Sequence, residues 1–106
     1  MAKYLISHDL GTSSNKASLF STEGELIKSH TVPYEVHFFH KNYAEQDPEE
    51  WWQAVCQATR EIVKGIDPSE VLAVSFSSQM QACIVVDREG KALRPAMIWA
   101  DHRAEK

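Results

Sequence analysis

The chain is 106 residues long (12.0 kDa) and carries 11 Lys and Arg against 15 Asp and Glu, a formal charge of −4 with a pI near 5.7. Its hydrophobic (43%) and charged (25%) fractions are those of ordinary globular chains, which excludes collagen-like and disordered classes and sets the length at one domain or part of one. The longest apolar runs, 82–86 and 96–100, fall far short of the roughly 18 residues of a membrane-crossing helix, and Lys and Arg form no cluster, so small-molecule partners are favoured over membranes and nucleic acid.

Met1 to Tyr4 lead directly into a strand-like segment with no signal-peptide pattern, so the mature chain is expected to begin at Met1. Residues 4–9 read as a strand, 11–14 as a tight turn of small residues, and 15–20 as a second strand. Ser21-Thr22-Glu23-Gly24 is a reversal in which Gly24 can take positive φ, and it leads into a third strand over 25–34, so the three strands form a meander. Residues 36–43 mix aromatics and histidines without a period, which predicts a connecting loop. His37 and His40 there lack partners at zinc spacing, so no metal site is expected.

Asp47-Pro48-Glu49-Glu50 predicts a helix start, with Asp47 as N-cap, Pro48 in the first turn and Glu50 completing a capping box. Trp51, Val55, Ala58, Thr59 and Ile62 then form one apolar stripe that ends near Lys64-Gly65. Trp51 and Trp52 are expected to pack as helix core and cap. Residues 71–77 read as a fourth strand joined through a βαβ-like crossover, and 82–87, the turn 88–91 and 93–99 as a final hairpin-like unit. Cys56 and Cys83 lie in apolar surroundings without C-x-x-C spacing, which predicts buried reduced thiols and a cytoplasmic protein. One helix cannot cover both faces of a sheet of about five strands, so the chain is expected to be the N-terminal piece of a larger protein.

The stretch Asp9-Leu10-Gly11-Thr12-Ser13-Ser14-Asn15-Lys16 joins two strands through a turn where Gly11 lets the backbone approach a ligand. Its N–H groups and three hydroxyls suit a phosphate, Asp9 offers a hard oxygen through which Mg²⁺ is held beside phosphates, and Lys16 adds a point charge. The same residues also make a plain polar hairpin turn, and taken alone they leave both readings open. His8 alternates with Asp9 along the strand, which puts it on the opposite sheet face as a packing residue.

Four ordered stretches carry a resemblance: D-L-G-T-S-S at 9–14, E-Q-D-P-E-E-W-W at 45–52, S-S-Q-M-Q at 77–81 and L-R-P-A-M-I-W-A-D-H-R at 93–103. Together they resemble the start of the FGGY family of carbohydrate kinases, within the actin-like, ribonuclease-H-like ATPases. The resemblance covers nearly the whole chain and is greatest toward the xylulokinases, with glycerol kinases more distant. It implies an α/β, ribonuclease-H-like N-terminal half-domain, a mixed sheet with one main helix, incomplete in itself, with the fourth strand beside the first and the helix over 48–64 on one face. Residues 1–106 would then form the N-terminal part of the first kinase domain.

The activity implied is ATP-dependent phosphorylation of a small sugar or polyol, first of all D-xylulose to xylulose 5-phosphate, with ATP and Mg²⁺ as cofactors and a homodimer as one form of the full-length protein. By resemblance Asp9, Gly11, Thr12, Ser13, Ser14 and Lys16 grip the ATP phosphates, with Asp9 also facing the metal. Met80, Gln81, Trp99 and Asp101 fall on the sugar side. Trp99 would stack on a sugar face or close the hairpin as a core residue, and Asp101 and Arg103 would bond sugar hydroxyls or each other. The catalytic Asp of the family lies beyond residue 106, so the 106-residue chain is expected to be inactive alone.

Two departures stand out: Gln81 follows Met80 where xylulokinases usually have Met-His and glycerol kinases Arg-Glu, and Ser7-His8 precedes Asp9 where an apolar residue or Gly is usual. Kinases for gluconate, ribulose or glycerol are the neighbouring readings, and a non-kinase actin-like ATPase or a stand-alone binding module the more distant ones. Such non-kinase ATPases do not share the stretches at 45–52 and 99–103.

Overall fold

The computed structural model describes residues 3–105. Strands β1 (Tyr4–Leu10), β2 (Ser14–Ser21) and β3 (Leu26–Pro33) form the expected meander, with Gly24 at φ 88° in the β2–β3 turn. Helix α1 (Pro48–Ile62) and a short 3-10 turn (Pro68–Glu70) then return the chain to β6 (Val71–Ser78), which lies parallel to β1. The main sheet therefore has the order β3-β2-β1-β6 and is mixed, as the resemblance implied.

Alternation along the strands decides what each face buries. Ile6 of β1, Ala17 and Leu19 of β2 and Val32 of β3 point to the helix side, where they meet Ala54, Ala58 and Ile62 of α1. The helix begins where the sequence predicts: the Asp47 carboxylate accepts from the Glu49 N–H (2.9 Å), Pro48 occupies the first turn, and Gly65 (φ 86°) follows the end. The side-chain cap bond goes to Glu49, and Glu50 donates its N–H to the Asp47 carbonyl (3.0 Å) instead of completing a reciprocal box.

Several further expectations need correction. Residues 36–43 are not a plain loop, because β4 (His37–Phe39) and β5 (Tyr43–Gln46) pair as an antiparallel hairpin. Its turn holds His40 (φ 49°) and Lys41 (φ 66°) in the left-handed region without a glycine, so the usual turn signal is missing. The main sheet has four strands, and β7 (Ala96–Met97) joins β4 and β5 in a second sheet of order β4-β5-β7. Residues 82–99 do reverse at Gly90 (φ 82°) as a hairpin-like unit, held by isolated antiparallel bridges of Val86 with Ala92 and of Cys83 with Met97 of β7.

Cys83 is consequently exposed and Cys56 half-buried, both as free thiols, and Trp52 is 60% exposed rather than packed at the helix cap. Among the described residues no helix is long and apolar enough to cross a membrane.

Candidate functional site

The parallel strands β1 and β6 end side by side, with Asp9 opposite Ser77 and Leu10 opposite Ser78. The Gln79 N–H continues the pairing by donating to the Leu10 carbonyl (2.7 Å). Beyond these carboxyl ends the two following segments diverge, which is where open sheets with parallel strands place ligands. An open cleft of about 420 Å³ lies there, lined by Asp9, Gly11 and Thr12 from one side and Ser78, Gln79, Met80, Gln81 and Trp99 from the other.

The loop after β1 is held rigidly from behind. The Gly11 N–H donates to the Ser14 carbonyl (2.9 Å), and the Tyr34 N–H donates to that of Ser13 (3.0 Å). The Tyr34 hydroxyl shares its proton between the carbonyls of Gly11 and Ser14, the latter at 3.0 Å. Burial first, and then the charge of Asp9, push Tyr34 up to about 12, so it remains a donor throughout the physiological range. Among the described residues the N–H groups of Thr12 and Ser13 have no protein acceptor, which leaves two donors for an anion. A side chain at Gly11 would meet the Ser14 carbonyl at an ordinary 3.6 Å, so the hairpin itself does not demand glycine there.

Ser13, Ser14 and Lys16 do not line the cleft. Ser13 is exposed beside it, Ser14 begins β2, and Lys16 is exposed directly across from Asp9 in the strand register. Asp9 itself is exposed at the strand end. On the other side Met80 is 77% exposed and Gln81 adopts a left-handed φ of 67°. Trp99 is 52% exposed, and its indole N–H donates to the Thr12 hydroxyl (3.0 Å), so it faces the cleft and is not a buried core residue.

Asp101 is turned away from this cleft. Both its oxygens accept from Arg103, and Oδ2 also accepts the Ala44 N–H (2.7 Å). Arg103 also donates to Glu45 (2.7 Å), lies over the Tyr43 ring at 3.7 Å, and holds the Asp101 carboxyl well below the usual carboxylate range. Arg94 reaches the same Glu45 oxygen (2.5 Å). This cluster fixes the segment carrying Trp99 to β5.

His8 lies on the opposite face from Asp9, as alternation requires, and is 2% exposed. With its proton on Nε2 the imidazole matches its surroundings: the Asn15 amide donates to Nδ1 (3.0 Å), Nε2–H donates to the Thr59 hydroxyl (3.2 Å), and that hydroxyl donates to the Val55 carbonyl (2.7 Å). Burial lowers its pKa, against the opposing Asn15 bond, and the imidazole is therefore neutral.

Sequence reasoning missed two residues, Gln79 in the cleft wall and Gln46 behind it, joined to each other by a 2.7 Å bond. Both lie inside stretches that carried the resemblance. Their partners, however, are brought together by the fold from across the chain, and no local pattern encodes that.

Comparison with known proteins adds an independent line. The family model described as "FGGY family of carbohydrate kinases, N-terminal domain" matches residues 4–106. A gluconokinase of Bacillus subtilis (strain 168) is 38% identical over 99% of this chain and 20% of its own length. A xylulose kinase of Staphylococcus xylosus is 33% identical over 97% of this chain and 21% of its own. Among solved structures, the gluconate kinase from Lactobacillus acidophilus superposes with a TM-score of 0.88 at 30% identity, over 95% of this chain and 20% of that one. The chain thus spans about a fifth of the length of the relatives it matches.

Proposed function

The chain belongs to the FGGY family of carbohydrate kinases, and we propose that the full-length protein transfers the γ-phosphoryl group of ATP to a hydroxyl of a small sugar or sugar acid. On this reading the present residues are the N-terminal part of its first kinase domain. The observation that carries the proposal is the shared cleft: the Asp9–Thr12 loop faces Met80, Gln81 and Trp99 across one opening.

Phosphoryl transfer asks little covalent chemistry of the protein and much positioning. The Thr12 and Ser13 N–H groups, without an acceptor among the described residues, would take phosphate oxygens, with the exposed Ser13 and Lys16 side chains outside the cleft wall as further polar groups nearby. Asp9 fits Mg²⁺: it is an exposed carboxylate beside Ser77 at a strand end, with open space for the waters such an ion retains. When bound, that ion would neutralise phosphate charge. The Met80 and Trp99 side chains suit the C–H face of a sugar, and the Gln81 amide both donates to and accepts from hydroxyls. Asp101 acts through the segment it fixes.

These uncharged sugar-facing groups favour D-xylulose as first substrate. The 38% identity to a gluconokinase supports D-gluconate as the second reading. A cytoplasmic place, where ATP is abundant, belongs to the same proposal. ADP formation by the full-length protein with MgATP and, in turn, D-xylulose, D-gluconate, D-ribulose and glycerol tests it. One of these should turn over and Asp9→Asn should abolish the turnover; no ADP with any of them would reject the proposal.

A further inference from the structure

Gln46 closes β5 and is 1% exposed, yet it is not part of the cleft wall. Its Nε2 donates to the Thr12 carbonyl (2.6 Å), and its Oε1 accepts from the Trp51 indole (3.1 Å) and from Gln79 Nε2 (2.7 Å). Both lone pairs of the amide oxygen are thus occupied while the nitrogen faces a carbonyl. A carboxylate of the same shape has no proton for that carbonyl, so the site needs an amide.

The three partners belong to three different elements: the loop after β1, the segment after β6, and the first turn of α1. Thr12 is gripped a second time through its hydroxyl by Trp99. One buried amide therefore ties the phosphate-facing loop to the sugar-facing segment 79–81, with the helix start as a fixed post.

Building on the kinase reading above, we infer that Gln46 is a positioning residue for the transfer: through Thr12 and Gln79 it sets the distance between the bound phosphates and the acceptor hydroxyl. Reacting atoms must approach to about 3–3.5 Å, and a misplacement of about 1 Å costs on the order of a hundredfold in rate. A loop released from Gln46 keeps its donors but loses its register with the sugar. The γ-phosphoryl group then reaches water more often relative to the sugar hydroxyl, so ATP is consumed without sugar phosphate being made.

The test compares the full-length wild type with Gln46→Glu and Trp51→Phe, measuring kcat, both KM values, Tm, and the ratio of ADP to sugar phosphate formed. D-Xylulose and D-gluconate serve as acceptors. Wild type should give a ratio of one. Gln46→Glu should lose about tenfold to a hundredfold in kcat with a ratio clearly above one. Trp51→Phe, which removes one bond to Oε1 without adding charge, should shift the ratio in the same direction by less, and it decides the matter if Gln46→Glu fails to fold.

A ratio of one in every folded variant overturns the inference, even where Tm and kcat fall, because a purely structural role lowers the amount of active enzyme without uncoupling it. An active wild type with unaffected variants rejects the inference alone, whereas a wild type that forms no ADP rejects the kinase reading and the inference together.

Discussion

Gln81 holds the left-handed conformation (φ 67°) at the edge of the cleft, where an L-residue other than glycine costs about 1–2 kcal/mol. That cost separates backbone from side chain experimentally. In the full-length protein, Gln81→Ala and Gln81→Gly should both raise the sugar KM well above any change in the ATP KM. Only Gln81→Gly should hold or raise Tm. Equal effects on the two KM values, or none, would remove Gln81 from the sugar side. His8 gives a second prediction, with a definite sign. Its folded pKa lies below the 6.5 of an unperturbed imidazole, so the unfolded chain binds the proton more readily. The contribution is therefore complete above about pH 6.5 and is lost as pH falls from there toward the folded pKa. Tm of the full-length protein should drop more between pH 7.5 and 5.5 for wild type than for His8→Gln; identical pH profiles would show that the imidazole is not held neutral by the fold. Alternation along β1 makes the opposite facing of His8 and Asp9 legible in the sequence. The partner hydroxyl of Thr59 is not, because it arrives from a helix 51 positions away.

Elements whose determinants are local were legible. Helix α1 carries its own start in Asp47 and Pro48 and its own buried stripe, and the β2–β3 turn carries Gly24. The β4–β5 hairpin was not, since His40 and Lys41 enter the left-handed region only because pairing of His37–Phe39 with Tyr43–Glu45 compels them. In the candidate site the Asp9–Ser14 loop and segment 80–81 could be named from sequence, and the fourth strand was expected beside the first, where β6 lies; the Gln46 bonds behind the cleft were not legible, because Thr12, Trp51 and Gln79 come from three separate elements. The ion cluster on β5 shows the same limit. D-x-R at 101–103 reads as a pair, but Glu45, Arg94 and the Ala44 N–H come from elsewhere. Arg103 neutralises two largely buried carboxylates, Glu45 and Asp101, whose side chains are 10% and 5% exposed. Arg103→Leu in the full-length protein should therefore lower Tm, because Asp101 loses its counter-charge beside Glu45, which keeps only Arg94. Adding Glu45→Gln should restore part of that loss. A double variant no more stable than Arg103→Leu would mean that Arg103 stabilises by packing on Tyr43 and not by charge.

At the scale of the molecule the radius of gyration is 16.3 Å, where a compact domain of about 100 residues has about 13 Å. Helix α1 covers β2 and β3 and leaves the helix-side surface of β6 bare, with Val74 48% and Phe76 56% exposed. These residues alone should therefore associate, since large bare apolar surfaces seek partners. Catalysis asks for something further, a carboxylate able to take the proton of the attacking hydroxyl from within about 3 Å. Asp101 is a poor candidate: Arg103 holds its pKa far down, so it accepts protons weakly, and its oxygens are already bonded to Arg103 and Ala44. On the proposed reading Asp9 serves the phosphates and their metal, which leaves it unavailable to the sugar hydroxyl. The cleft also lies open to water, which weakens every charge interaction in it. The isolated 106-residue chain should accordingly form no sugar-dependent ADP with MgATP and D-xylulose, D-gluconate, D-ribulose or glycerol, while the full-length protein turns over at least one of them. Sustained turnover by the short chain, lost on Asp9→Asn, would show that a competent proton acceptor lies within these residues after all.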